Sequence, residues 1–130
     1  MHFLHLDSLA SLHAVPPFGI REPYPTYADG SPREDVFSLG QPVDLVVMPG
    51  LAFNRRGHRL GRGGGYYDKF IAACLRLAAQ QGRPPPLLLA LAFDAQMIDQ
   101  VPVADNDEDV DLIVTAHEVL RCTERGRQVC

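Results

Sequence analysis

The chain has 130 residues, 46% of them hydrophobic, enough for one soluble domain with a real core. Its 12 basic residues against 16 acidic ones give a net charge of −4, which excludes a nucleic-acid binder presenting a basic face. The longest apolar run, 87–93, is too short to span a bilayer, and residues 1–12 lack the cationic start and apolar stretch of a secretory signal.

Residues 3–6 read as a short strand, so close to the first methionine that the chain is expected to start mid-fold. Asp7 or Ser8 can cap a short helix through Leu12, and residues 14–43 read as one long loop because of the prolines at 16, 17, 23, 25, 32 and 42. A loop of that length is usually a lid, or a sign that packing partners are absent. Residues 44–48, in which Leu and Val make a continuous apolar run after Asp44, are closed by Pro49-Gly50 and predict a buried strand, and a loop follows to Leu60. The helical spacing of Tyr67, Phe70, Ile71, Cys74 and Ala78 predicts an amphipathic helix over 66–81, ended by Gly82 and the prolines at 84–86. Residues 87–93 predict a second buried strand, 95–100 a short helical turn, 111–114 a third strand and 118–122 a short edge strand. Residues 1–122 are thereby expected to form one α/β unit and 123–130 a mobile tail. Strand, glycine turn, helix, strand is the order of a βαβ crossover, so the expected architecture is a mostly parallel sheet with flanking helices, Rossmann-like, with ligands beyond the carboxyl ends of the strands.

The chemistry concentrates in Gly61-Arg62-Gly63-Gly64-Gly65-Tyr66-Tyr67-Asp68, where four of five consecutive positions are glycine. Such a run lets a ligand lie against the main chain, and the first N–H groups of the following helix would face it. Arg55, Arg56, Arg59 and Arg62 stand just upstream or within it, without an acidic residue among them. Phosphate is the ligand this combination favours, and a tight surface turn is the alternative. Arg59 and Arg62 are the candidates for bidentate phosphate contacts, whereas Arg55 and Arg56 read as solvated. The run is neither a Walker loop, which needs a lysine and a hydroxyl after the glycines, nor a dinucleotide fingerprint, of which it has half. Asp68 has two readings, favourable placement at a helix N-terminus or a magnesium ligand, and a second carboxylate could come from the acidic run 105–111. That run is no calcium loop, since Val110 and Ala116 occupy the positions of the required glycine and glutamate. Tyr67 lies on the apolar helix face, while Tyr66 is free to meet a ligand ring. Cys74, Cys122 and Cys130 have no Cys-x-x-Cys spacing, which points to a reducing compartment and away from structural zinc.

Met48-Pro49-Gly50-Leu51-Ala52-Phe53, followed by Gly57-His58-Arg59-Leu60 and the glycine run through Asp68, resembles the 5-formyltetrahydrofolate cyclo-ligase (5,10-methenyltetrahydrofolate synthetase) family. The similarity continues through 19–23, 89–93, 101–103, 106–107 and 110–111, over about residues 1–115. The resemblance implies an enzyme that uses ATP and magnesium to convert 5-formyltetrahydrofolate to 5,10-methenyltetrahydrofolate, releasing ADP and phosphate. The formyl oxygen would attack the γ-phosphorus, and N10 would close the ring as phosphate leaves. Carried over by position, Arg59 resembles the ATP-phosphate arginine, and Leu60, Gly61, Arg62, Gly63, Gly64, Gly65, Tyr66 and Tyr67 resemble the nucleotide-binding turn. Within that turn Arg62 and Tyr66 would be catalytic, and Asp68 and Asp107 resemble the two magnesium carboxylates. Some relatives have lysine where this chain has Gly64, so charge there would rest more on Arg62.

The resemblance further implies no membrane or nucleic-acid partner, a cytoplasmic or mitochondrial setting, and a monomer. The chain matches the later part of the family pattern and is expected to lack the N-terminal part of the fold. An exposed sheet edge and apolar face, self-association through that edge, and weak or absent activity are then expected. Two rivals stand beside this reading. One is a non-catalytic module that binds nucleotide phosphates; the other, a sugar-phosphate or acyl-transfer enzyme, lacks an evident activated nucleophile.

Overall fold

The computed structural model describes residues 1–105 and 107–129; Asn106 in the acidic run and Cys130 at the end of the expected tail lie outside the described residues. The chain divides into two compact units, residues 1–41 and 42–130.

In the first unit, the stretch read as a strand at 3–6 makes an isolated bridge, Leu4 with Asp35. The expected short helix is one 3-10 turn, Leu9–Ser11, whose N-cap Ser8 hydroxyl accepts from the Ala10 N–H at 3.1 Å. The loop reading of 14–43, of which 24–43 holds no helix or strand, is corrected in its first part by an antiparallel hairpin of β1 (Leu12–Val15) and β2 (Ile20–Pro23). Its prolines do not prevent pairing because Pro16 and Pro17 occupy the turn and Pro23 ends a strand, where few ladder donors are lost. Beyond the hairpin, the organiser is a charge. The guanidinium of Arg33, the buried residue of this unit, donates from Nε to the Tyr24 carbonyl (2.7 Å) and from Nη1 to the His5 carbonyl (3.1 Å) and the Asp7 carboxylate (2.8 Å). It also lies 4.5 Å above the Tyr27 ring.

The hydrogen bond from Arg33 holds the Asp7 carboxyl below its ordinary range. A carboxyl depressed in the folded state contributes stability above its unfolded pKa and loses it as pH falls through the folded value. We therefore expect the amide signals of residues 5–33 to lose exchange protection on acidification below the usual carboxylate range. The Asp7→Asn chain should show this loosening already at neutral pH. Protection that is independent of pH in the native chain would remove Asp7 as the anchor.

The second unit holds the buried apolar side chains. Its main sheet contains β3 (Leu45–Met48), β6 (Leu87–Leu91), β7 (Leu112–Val114) and β8 (Val119–Arg121), in that spatial order. The first three are parallel neighbours, and β8 pairs antiparallel with β7. This is an α/β arrangement with a mixed sheet and few helices. Helix α1 (Tyr66–Gln80) lies in the crossover between β3 and β6, one residue shorter than its periodicity predicts. It buries Phe70, Ile71, Cys74 and Ala78. In the sheet, the register aligns Val46 with Leu88, and Met48 with Ala90 and Ile113, which together make one fully buried face. Such a buried stripe on the helix and buried face on the sheet are the two apolar surfaces that a crossover joins. Edge strand β3 alternates instead, with Leu45 and Val47 each 51% exposed on the other face. The loop expected up to Leu60 contains a two-stranded hairpin, β4 (Ala52–Phe53) with β5 (Arg59–Leu60), too short for period-two alternation to register.

The stretch read as a mobile tail carries a short helix, α2 (Glu124–Arg127), capped by the Thr123 side chain. It is tied to Asp111, which is 0% exposed. One Asp111 oxygen accepts from the Leu88 N–H at 2.8 Å, while the other accepts from the Thr123 hydroxyl and from Arg125 Nε at 3.1 Å. A single carboxylate thus joins β6, β7 and α2.

Candidate functional site

The polypeptide leaving β3 runs through Pro49, Gly50 and Leu51 into the β4–β5 hairpin, and the hairpin delivers Arg59 and Leu60 to the glycine run. Its tip, 54–58, is held by buried Asn54, whose side-chain oxygen accepts from the N–H groups of Arg56 (3.0 Å) and His58 (3.1 Å). The Leu51 N–H donates to the Leu60 carbonyl at 2.7 Å, which ties the entry of the hairpin to its exit. The segment after β6 is fastened here as well, because Gln96 Nε2 donates to the Gly50 carbonyl at 2.8 Å while its oxygen accepts from the Phe93 N–H at 2.8 Å. Arg59 Nη1 reaches the Pro49 carbonyl at 3.3 Å. These bonds place the glycine corner at the carboxyl ends of β3 and β6, where parallel α/β sheets bind ligands.

The corner is open. Arg62, Gly63 and Gly64 are exposed, Gly61 and Gly65 are half-buried, and Tyr66 is 65% exposed. Gly63 (φ 87°) and Gly65 (φ 66°) adopt the left-handed conformation that a side chain disfavours. Gly65 is also the N-cap of the 15-residue helix α1 and, having no side chain, makes no side-chain cap bond to its first turn. A positively polarised helix start behind exposed glycines is suited to phosphate oxygens.

Gly64 differs from its neighbours. A Cβ there would come within 2.6 Å of the Tyr66 ring, but that ring is solvent-facing and can swing. Gly64→Ala is therefore expected to change stability by less than about 0.5 kcal/mol, and Gly65→Ala to cost about 1–2 kcal/mol through its left-handed backbone. Chemical denaturation of the two variants checks this ranking, and equal losses would contradict it.

Arg59 and Asp68 come into direct contact, with Arg59 Nη2 donating to Asp68 Oδ1 at 3.2 Å. The arginine side chain is 7% exposed and the aspartate side chain 24%. The guanidinium also lies 5.8 Å from the centre of the Tyr67 ring, so Tyr67, half-buried rather than in the core position expected of it, lies beside the pair. Buried Arg59 Nε has no hydrogen-bond partner among the described residues. Arg55, expected to be solvated, is exposed and paired with Glu118 at 2.8 Å.

Asp107 is exposed, and its Oδ2 accepts from the Ala104 N–H at 2.8 Å within its own loop. Asp111, another member of the acidic run, is withdrawn from any ligand by burial and its three partners. Among the described residues no group of three or more His, Cys, Asp or Glu could hold a metal ion. The residues present nevertheless fit magnesium bound together with phosphate. That ion keeps several waters and takes one or two carboxylates plus phosphate oxygens, and Asp68 offers a partly exposed carboxylate beside the open corner. Cys74 and Cys122 have thiols pushed up by burial, with Asp109 and Asp111 adding to the rise at Cys122, so neither is activated as a nucleophile. Gln96 and Asn54, which shape the corner, carry no local sequence signal. Their role depends on partners that only the fold brings near.

A sequence profile of the 5-formyltetrahydrofolate cyclo-ligase family matches residues 1–116. The chain is 41% identical over 130 residues to the mitochondrial 5-formyltetrahydrofolate cyclo-ligase of Arabidopsis thaliana, covering 98% of this chain and 47% of that protein. It is 41% identical over 86 residues to the 5-formyltetrahydrofolate cyclo-ligase of Mus musculus, covering 66% of this chain and 40% of that one. Among solved structures, the NMR structure of Aquifex aeolicus 5,10-methenyltetrahydrofolate synthetase is similar with a TM-score of 0.61 and 32% identity, covering 95% of this chain and 53% of that chain. The chain thus spans about half the length of the relatives it matches.

Proposed function

Because the chain belongs to the 5-formyltetrahydrofolate cyclo-ligase family, we propose that it serves the ATP- and magnesium-dependent closure of 5-formyltetrahydrofolate to 5,10-methenyltetrahydrofolate, with ADP and phosphate released. The observation that carries this reading is the open glycine corner at the start of α1, with Arg59 and Arg62 beside it. In this reading the backbone from Leu60 to Tyr67 cradles the nucleotide phosphates, and α1 directs its partial positive charge at them. Arg62, exposed within the turn, closes on the γ-phosphoryl group as the formyl oxygen attacks phosphorus. Tyr66 presents its exposed ring and hydroxyl to the reacting end of the folate. These groups position the reactants and neutralise charge, which is what phosphoryl transfer asks of a protein. Asp68 and Asp107 are the carboxylates that would hold magnesium. Once bound, the ion would supply neutralisation of phosphate charge.

The same open turn supports a second reading, a module that binds nucleotide phosphates without assembling a folate site. Titration of the full chain with ATP and magnesium, alongside an absorbance assay for the methenyl product, separates the two. Binding with ATP-dependent product supports the enzyme, binding without product supports the module, and absence of binding overturns both. Exposed Leu45 and Val47 on edge strand β3 support self-association through that edge over a lasting monomer. Among the described residues no helix is long and apolar enough to cross a membrane. A cytosolic or mitochondrial setting follows the family, one of whose members is named as mitochondrial.

A further inference from the structure

In the glycine corner, the arginine suited to hold phosphate and the carboxylate suited to hold magnesium hold each other. The pairing leaves the arginine under-used. Asp68 takes Nη2 at 3.2 Å, Pro49 takes Nη1 through a long 3.3 Å bond, and buried Nε has no partner. The approach to the guanidinium is also kept clear, since a side chain at Gly61 would begin 3.0 Å from Arg59 Nη1. Two donors of a planar fork thus remain weakly satisfied or bare beside an open, positively polarised turn.

We propose that Arg59 and Asp68 form a latch that couples the loading of cation and nucleotide, a refinement that rests on the phosphate-binding reading above. A phosphate arriving alone meets an arginine already neutralised by Asp68, and a divalent cation arriving alone meets a carboxylate already neutralised by Arg59. Either one, bound by itself, leaves a partly buried charge without its partner. Arriving together, they exchange one internal pair for two external ones, phosphate on Arg59 and cation on Asp68. Each ligand therefore raises the affinity for the other by the same factor.

The test is calorimetric titration of the full chain with inorganic pyrophosphate in the presence of a metal chelator. Asp68→Asn opens the latch and is expected to tighten metal-free pyrophosphate binding about fivefold. Removing a carboxylate also relieves simple repulsion of the anion, so the same change is measured in an Arg59→Gln background. There the latch predicts a gain of less than about twofold, because no arginine is released. Equal gains in both backgrounds, or no gain in the native one, overturn the latch. If Arg59→Gln does not fold, solvent exchange of the Arg59 side-chain N–H groups replaces it. Asp68→Asn should speed that exchange in the ligand-free chain, and unchanged exchange overturns the latch. Should pyrophosphate bind to no folded variant, the phosphate reading falls and the latch with it.

Discussion

Replacing Asp111 with alanine is expected to destabilise the second unit by about 3 kcal/mol, more than any other single change considered. The carboxylate is wholly buried, and its removal strands the Leu88 N–H inside the sheet and releases the Thr123 hydroxyl that caps α2. A stranded buried donor costs about 1–3 kcal/mol, and the vacated volume adds to it. Arg125 contributes less than its charge suggests, because its side chain is 33% exposed and can turn to water. Asp111→Asn keeps the shape and one acceptor oxygen, so it should cost roughly half as much. Urea unfolding of the two variants measures both values. A loss below about 1 kcal/mol for the alanine variant would mean that β6, β7 and α2 are joined by something other than this carboxylate.

If the chain performs the ring closure proposed above, replacing Arg62 with alanine is expected to lower it about 100-fold while leaving the unfolding midpoint unchanged. The separation follows from exposure, since Arg62 projects from the open turn, whereas Arg59 is packed between Tyr67, Pro49 and Asp68. Losing Arg62 costs the fold nothing, whereas in the proposed reading it removes the cation that meets the developing charge on phosphate. Gly64 heightens the effect because it contributes no charge of its own beside Arg62. Gly64→Lys in the Arg62→Ala chain should restore part of the loss, with Tyr66 swinging aside to admit the new side chain. Kinetics and denaturation of the single and double variants check this. Unchanged turnover in Arg62→Ala would transfer the catalytic role away from the turn, and a matching loss of stability would make the arginine structural.

Much of the second unit is legible in the chain itself. Strands β3, β6 and β7 are short apolar runs bounded by proline, glycine or acidic loops, and α1 repeats its apolar positions at helical spacing. The glycine corner is legible for a related reason. Left-handed backbone at Gly63 and Gly65 and a close approach beside Arg59 at Gly61 favour residues that lack side chains. In the first unit, proline density hides the hairpin, because Pro16 and Pro17 sit in its turn and Pro23 at a strand end, whereas the loop it predicts is present beyond Pro23.

What the sequence determined by itself is therefore local: the order of the elements, the open turn before α1, and a patch of arginine with acidic residues downstream. What tertiary structure decided is pairing across distance. It set Arg59 on Asp68 rather than in solvent, buried Asp111 as a clamp while leaving Asp107 at the surface, and fastened Gln96 to a carbonyl 46 positions away. Backbone conformation and apolar periodicity are properties of neighbouring residues and can be read along a chain. The partner of a charge is set by which surfaces pack together, and no short stretch of sequence carries that information.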